Sequence, residues 1–326
     1  SKLGIDVDGE RSPTALNATY PSPPSVAFIN DQDPISFTLS HPISSSAPWR
    51  NRMEKENNKQ QVVECVSISA ENENEPLIED EMERSKVGIM RALCDRQDPS
   101  TKEVDDLMIR RFLRARDMDI EKASALFLKY LAWKKTVLPK GHIPESEIAN
   151  DLSHNKVCMQ GHDKKGRPIL VIVGNRHNPS KGNPEEFKRF VVYTLEKICA
   201  RMPRGEEKFR AIVDLQGWGY SNCDIRGYLA ALSTLQDCYP ERLDKLYFVR
   251  APYIFMTAWK VIYPFVDTNT RKKVDIFCSS TATPSLIIVF VENKKLTPTL
   301  LEDIDEAQLP DIYGGKMPLT PIQDSH

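Results

Sequence analysis

The stretch Tyr253–Val266, YIFMTAWKVIYPFV, constrains this chain more than any other. It holds a single charge, Lys260, and its aromatic and aliphatic residues are not confined to one stripe. A helix that is apolar all round has to be covered by protein or by lipid. The stretch is shorter than the roughly 20 residues that span a bilayer, and Pro264 interrupts its end. Two readings follow: a helix buried in a large core, or a helix that covers a greasy ligand and can itself touch a membrane.

The flanking sequence supplies an α/β framework. Short apolar runs with the length and residue types of strands occur at Val157–Met159, Pro168–Val173, Phe209–Asp214, Lys245–Val249 and Val274–Cys278. Between them lie helical patterns. Asn183, Pro184 and Glu186 mark a helix start with cap, first-turn proline and third-position glutamate. Phe187, Phe190, Val191, Leu195, Ile198 and Met202 then share one face. Asp224–Cys238 turns Ile225, Tyr228, Leu229, Leu232 and Leu235 inward, and Leu300–Asp305 begins a late helix. Strands alternating with helices predict a largely parallel sheet. Before this region, Val87, Met90 and Leu93 sit on one helical face closed by Pro99. Glu103–Arg116 continues the helical pattern through Leu107, Met108, Phe112 and Ala115. Asp119 caps a helix over Ile120–Val137, with Ala123, Phe127, Tyr130 and Leu131 inward. The expected organisation is a disordered acidic tail over residues 1–81, a helical module over 82–150 and an α/β domain over 151–326.

The tail reading rests on Pro, Ser, Asn and acidic residues that bury too little apolar surface to offset ordering entropy. Six basic and fourteen acidic residues lie in Ser1–Glu81, a charge of −8, which leaves +6 for the rest of a chain whose total is −2. A modestly basic folded part suits an anionic membrane surface and equally ordinary solubility. Seven dispersed cysteines without a C-x-x-C pair argue for reduced thiols in a cytosolic protein. No apolar signal-peptide core stands near the N-terminus, and the longest aliphatic run, Leu286–Val291, is far too short to cross a bilayer. Gly217-Trp218-Gly219 lacks the third glycine of a dinucleotide fingerprint, no G-x-S-x-G elbow occurs, and the six histidines lack metal-ligand spacing.

Six motifs in order carry a resemblance. They are RRFLRARDMDIEKA (Arg110–Ala123), GRP (Gly166–Pro168), VDLQGWG (Val213–Gly219), YPERLDKLYFVRAP (Tyr239–Pro252), PFVDTNTRKKV (Pro264–Val274) and LPDIYGG (Leu309–Gly315). Together they resemble the CRAL-TRIO lipid-binding domain family, and within it the phosphatidylinositol transfer proteins of the yeast secretory pathway and their plant relatives. The resemblance implies a small helical module followed by an α/β domain with a largely parallel sheet and a hydrophobic pocket. It implies that one phospholipid is the ligand, with no other cofactor, no metal and no catalytic chemistry. The implied partners are phosphatidylinositol, a second lipid of unknown identity and a membrane surface met peripherally and transiently by a cytoplasmic monomer; nucleic acid is not among them.

The resemblance also assigns residues. Arg114, Glu241, Thr270 and Lys273 match the family's phosphatidylinositol headgroup positions. Their chemistry suits the task, since cations neutralise a phosphodiester while a carboxylate and a hydroxyl bond inositol hydroxyls. Asp267 as a cap would make Thr270 the third residue of a helix, with Lys273 one turn on. The competing reading is an ordinary Arg114–Glu241 ion pair with a solvated Lys273. Phe209, Ala211, Tyr253, Phe255, Met256, Trp259, Val261, Ile262 and Phe265 are the expected pocket and gate residues. Where phosphatidylcholine-binding members carry two hydroxyl residues, this chain has Phe209 and Ala211, which cannot bond a choline phosphate. A carrier of another small hydrophobic ligand is the alternative function. A lipid hydrolase is disfavoured by the missing nucleophile and base.

Overall fold

The computed structural model describes residues 75–271, 274–275 and 287–325, all within one compact unit, Glu71–His326. It opens with three helices: α1 (Glu75–Asp95), α2 (Asp106–Arg114) and α3 (Ile120–Val137). Helix α1 begins inside the stretch expected to be tail, so a cut at residue 81 would pass through it. Side chains three and four apart share a helical face, and Val87, Met90 and Cys94 are buried on that spacing. Leu93, expected inward, falls on the outer side and is exposed, as is Leu107. The buried set packs with Ile109, Phe112 and Leu113 of α2 and with Ala123, Phe127, Tyr130 and Leu131 of α3. Asp105 and Asp119 cap α2 and α3 by accepting from the Met108 amide (2.7 Å) and the Lys122 amide (3.1 Å); each cap contributes about 1 kcal/mol.

The chain then alternates: α4 (Ala149–Ser153), β1 (Val157–His162), β2 (Pro168–Val173), α5 (Pro184–Ala200), β3 (Phe209–Asp214), α6 (Ile225–Cys238) and β4 (Leu243–Val249). It ends with α7 (Phe255–Ile262), α8 (Thr268–Arg271), β5 (Val274–Asp275), β6 (Ile288–Val291) and α9 (Leu296–Asp303). The six strands lie in the order β1-β2-β3-β4-β6-β5. Among the strand pairs of the described residues, β1–β2 is antiparallel and the others are parallel. Asn183 caps α5 as its residue type suggests, accepting from the Glu185 amide (2.9 Å). Glu186 does not close the box; its carboxylate accepts from the Asp151 amide instead (3.0 Å) and ties α5 to α4. The expected strand over Val274–Cys278 is described only at Val274–Asp275. The run Leu286–Val291, weighed above only as a span, contains β6, whose four residues are all buried.

Side chains alternate across a sheet, and the two faces are covered differently. On one, Ile169, Val171, Ile212, Tyr247, Val249, Val289 and Val291 pack against Leu300, Ile304, Leu309 and Tyr313. An ionic network runs through the same side. Arg210 Nε lies 2.8 Å from Asp163 and 3.0 Å from Asp244, and its Nη1 lies 2.8 Å from Asp303. Asp303 also accepts from Lys245 (2.8 Å) and from the Tyr247 hydroxyl. Burial alone would raise its pKa, but the bonds from Lys245, Tyr247 and Arg210 outweigh that and hold it well below the usual carboxylate range. The LPDIYGG turn closes this side, and a Cβ on Gly315 would overlap the Leu309 carbonyl.

The other face is largely apolar where α5 and α7 cover it. Leu170, Phe209 and Ala211 pack beneath α5 with Phe190, Leu195 and Ile198. Phe248, Ile288 and Phe290 lie beneath α7. Between them, α6 turns Leu229, Leu232 and Leu235 inward, yet no residue of α6 is fully buried.

Candidate functional site

The helix over the apolar face is shorter than its sequence pattern suggests. The Phe255 amide donates to the Pro252 carbonyl (2.9 Å), so Tyr253 sits in a turn before α7. At the other end Pro264, which has no N–H to donate, lies in a 3₁₀ turn over Tyr263–Phe265. The apolar residues that seemed spread all round sort into two sides. Phe255, Ala258, Trp259, Ile262 and Val266 are buried against the sheet, with Met256 half-buried beside them. Tyr253 (83% exposed), Val261 (48%) and Phe265 (58%) face outward, along with Lys260. The inner side is an aromatic layer: Phe248 and Phe290 stack at 4.8 Å, Trp259 lies 5.4 Å from each, and Trp218 meets Phe255 at 5.3 Å.

Three of the four headgroup candidates, Arg114, Glu241 and Thr270, lie near the C-terminal end of α6. Arg114, at the end of α2, donates from Nε and Nη2 to the two oxygens of Glu83 (2.6 and 2.8 Å). Its Nη1 is 4.0 Å from Glu207, which also pairs with the buried Arg111. The Glu83 bonds are the main reason its guanidinium pKa is raised; Glu207 and Glu241 add to this. Glu241 therefore stands within electrostatic reach of Arg114 but does not pair with it. Its carboxylate is 3.8 Å from Lys208, and its φ of 59° places it in the left-handed region that a side chain seldom adopts. The ordinary Arg114–Glu241 ion pair is thus not what forms.

Thr270 donates its amide to Asp267 (2.9 Å), so the expected cap is in place. Asn269 donates to Asp117 (2.9 Å), which joins α8 to the turn after α2. Gln236 of α6 accepts from the Asp267 amide (2.7 Å) and donates to the Phe265 carbonyl (3.3 Å), while Asp237 pairs with Lys129 (3.0 Å). One helix end thereby links the cover, α8 and the helical module. Lys273 lies outside the described residues. Motif matching did not find Glu83, Glu207, Gln236 and Asp117. Arg111 and Arg114, three apart on one helix, do signal that an acid is needed, but not which one.

Phe209 and Ala211 are buried in the wall and offer no hydroxyl. Two clefts lie nearby. One of about 120 Å³ is lined by Arg111, Tyr130, Glu196, Tyr239 and Arg242; another of about 190 Å³ by Lys129, Trp133, Thr234, Asp237 and Cys238. Both fall below the roughly 300 Å³ of ordinary ligand pockets. Burial, then Asp237, pushes the Cys238 thiol up to about 12, so it is no nucleophile at neutral pH. Among the described residues no cluster of three His, Cys, Asp or Glu is placed to hold a metal, no helix is long and apolar enough to cross a membrane, and five cysteines are free.

A buried polar chain anchors the start of α6. Lys156 pairs with Asp151 and donates to His177 Nδ1 (3.1 Å). His177 Nε2 lies 3.0 Å from Asp224, which caps α6 through the Gly227 amide (2.8 Å). Burial, then the neighbouring Lys156 charge, pushes the His177 pKa down. The neutral imidazole thus accepts at Nδ1 and donates at Nε2.

The sequence matches the family model described as "CRAL/TRIO domain" over residues 152–315. Among curated proteins it is 27% identical over 251 residues to "Protein real-time" of Drosophila pseudoobscura pseudoobscura, covering 72% of this chain and 35% of that protein. It is 28% identical over 234 residues to "Sec14 cytosolic factor" of Schizosaccharomyces pombe, covering 66% and 76%. It is 29% identical over 230 residues to "Phosphatidylinositol/phosphatidylcholine transfer protein SFH7" of Arabidopsis thaliana, covering 65% and 39%. The chain thus spans little more than a third of the first and third of these proteins. A solved structure described as "Crystal structure of Sfh5" is similar over 72% of this chain and 85% of its own, at 18% identity and a TM-score of 0.49, a likeness that carries no weight.

Proposed function

The chain belongs to the CRAL/TRIO domain family of lipid-binding and lipid-transfer proteins, and from that premise we propose that it encloses one phospholipid, phosphatidylinositol foremost, and exchanges it at membrane surfaces. One observation carries the reading: α7 covers half of an apolar sheet face while Tyr253, Val261 and Phe265 on its outer side stay in water. Exposed apolar patches of this kind mark contact surfaces. Acyl chains laid on the sheet face gain about 0.8 kcal/mol per buried methylene. Arg114 and Lys273 neutralise the phosphodiester, and Glu241 and Thr270 bond inositol hydroxyls. Arg114 already holds Glu83, so a phosphate has to compete with that carboxylate or share the guanidinium with it. No bond is made or broken in this task, and no enzyme activity is proposed.

The second ligand is a lipid other than phosphatidylcholine, because Phe209 and Ala211 give a choline phosphate no hydroxyl. The same hydroxyl-free wall favours the alternative, a carrier of a small hydrophobic molecule without phosphoinositide transfer. Mass spectrometry of lipids extracted from the purified full chain, with transfer of labelled phosphatidylinositol between vesicles, separates the two. The expected result is stoichiometric phospholipid and measurable phosphatidylinositol transfer. A co-purifying isoprenoid-type molecule without phospholipid transfer would establish the alternative.

A further inference from the structure

Two tryptophans share the aromatic layer beneath and beside α7, and they differ in one respect. The indole N–H of Trp218 donates to the Tyr228 hydroxyl (3.1 Å), which donates in turn to the Asn222 carbonyl (2.6 Å). The indole N–H of Trp259 has no acceptor among the described residues. Trp259 is 5% exposed, and its nitrogen is shut off from solvent. Around it are the rings of Phe248, Phe290 and Tyr263, at 5.4, 5.4 and 5.9 Å. A buried donor left unmade costs about 1–3 kcal/mol. A phenylalanine would supply nearly the same apolar ring without that cost.

We propose that Trp259 is a specificity residue for the bound lipid: its indole N–H donates to an ester carbonyl at the glycerol end of the acyl chains. The inference rests on the phospholipid reading above and adds a chemical requirement to it. The layer under α7 then selects an apolar ligand that carries an acceptor oxygen at its depth, and it discriminates against ligands that are hydrocarbon there. Such a donor works by difference. An analogue without the acceptor leaves the buried N–H unpaired, whereas the native lipid satisfies it.

The test compares diacyl phosphatidylinositol with its dialkyl-ether analogue, which has the same headgroup and chain length but no carbonyls, in binding to the full chain and to Trp259→Phe. The full chain should bind the diacyl lipid roughly five- to tenfold more tightly than the ether, and Trp259→Phe should abolish that preference. Retained ether binding by the variant shows that it is folded. In the ¹⁵N-indole spectrum, the Trp259 N–H signal, assigned by its loss in the variant, should move downfield with diacyl lipid and not with the ether. Equal affinity of the full chain for both lipids, equal weakening of both in the variant, or an indole signal already hydrogen-bonded and unmoved by lipid would each overturn the role of Trp259. Binding of neither lipid by the full chain would overturn the phospholipid reading and this inference with it.

Discussion

The two faces of the central sheet are built from similar residues and finished in opposite ways. The face toward α9 is closed by a side-chain core and an ionic network in which Arg210 holds three carboxylates. The face toward α7 keeps its buried polar chain, Lys156, Asp151, His177 and Asp224, beside α5 and the start of α6; beneath α7 itself rings and aliphatic side chains meet the sheet, and α6 crosses it half-buried. A buried charge network tolerates no sliding, because any shift leaves a charge unpaired at a cost of several kcal/mol. An apolar layer loses only contact area when it parts, and lipid can replace that area at little cost. One face is therefore suited to hold the fold, and the other to open.

The sharpest way to break this contrast is Arg210→Ala. It takes one cation from Asp163, Asp244 and Asp303, which keep Arg167 and Lys245 as partners, and urea unfolding should show a loss of about 2–3 kcal/mol for the lost charge-assisted bonds, with lipid binding unchanged in the protein that remains folded. A neutral result would mean that the network is not what closes this face. Glu241→Lys should act in the reverse sense. Stability should change by no more than about 0.5 kcal/mol, while phosphatidylinositol transfer falls roughly tenfold or more through a lost charge-assisted bond and the second lipid is spared. Loss of every lipid alike would assign Glu241 to structure. Val261→Ser with Phe265→Ser should leave both stability and headgroup preference intact and weaken vesicle binding about tenfold in a sedimentation assay; unchanged sedimentation would remove the outer side of α7 from the membrane contact.

The smallest effect concerns pH. The folded pKa of His177 is depressed below its unfolded value near 6.5. The stability this neutral histidine contributes is therefore fully present above the unfolded pKa and lost as pH falls through the folded one. Thermal melts at pH 7.5 and 5.5 should show that decline, and His177→Gln should flatten it. The same slope in the variant would place the acid sensitivity elsewhere.

Much of the scaffold was legible in the sequence. Strands β2 and β3 and helix α3 start and stop where periodicity and the Asp119 cap place them. What escaped has physical reasons. A four-residue apolar run carries no period, so β6 could not be told from any other greasy segment. Leu93 and Cys94 are neighbours, and which of them turns inward is decided by the partner helix. The stretch over Tyr253–Val266 looked apolar all round because sequence cannot say which side meets the sheet. At the candidate site, the cap on Thr270 was readable because it is local. The Glu83 partner of Arg114 lies 31 residues away and the Lys208 partner of Glu241 is separated from it by β3 and α6, so neither follows from spacing.

Hydrogen exchange of the lipid-loaded full chain, with and without anionic vesicles, tests the contrast most directly. If α7 is a movable cover and α9 part of the fixed face, amides of Phe255–Ile262 should be protected with lipid bound and exchange faster when vesicles are added, reversibly. Amides of Leu296–Asp303 should exchange only through global unfolding in both conditions. Amides of α7 that exchange only through global unfolding, with vesicles as without, would contradict the cover and make it part of the core.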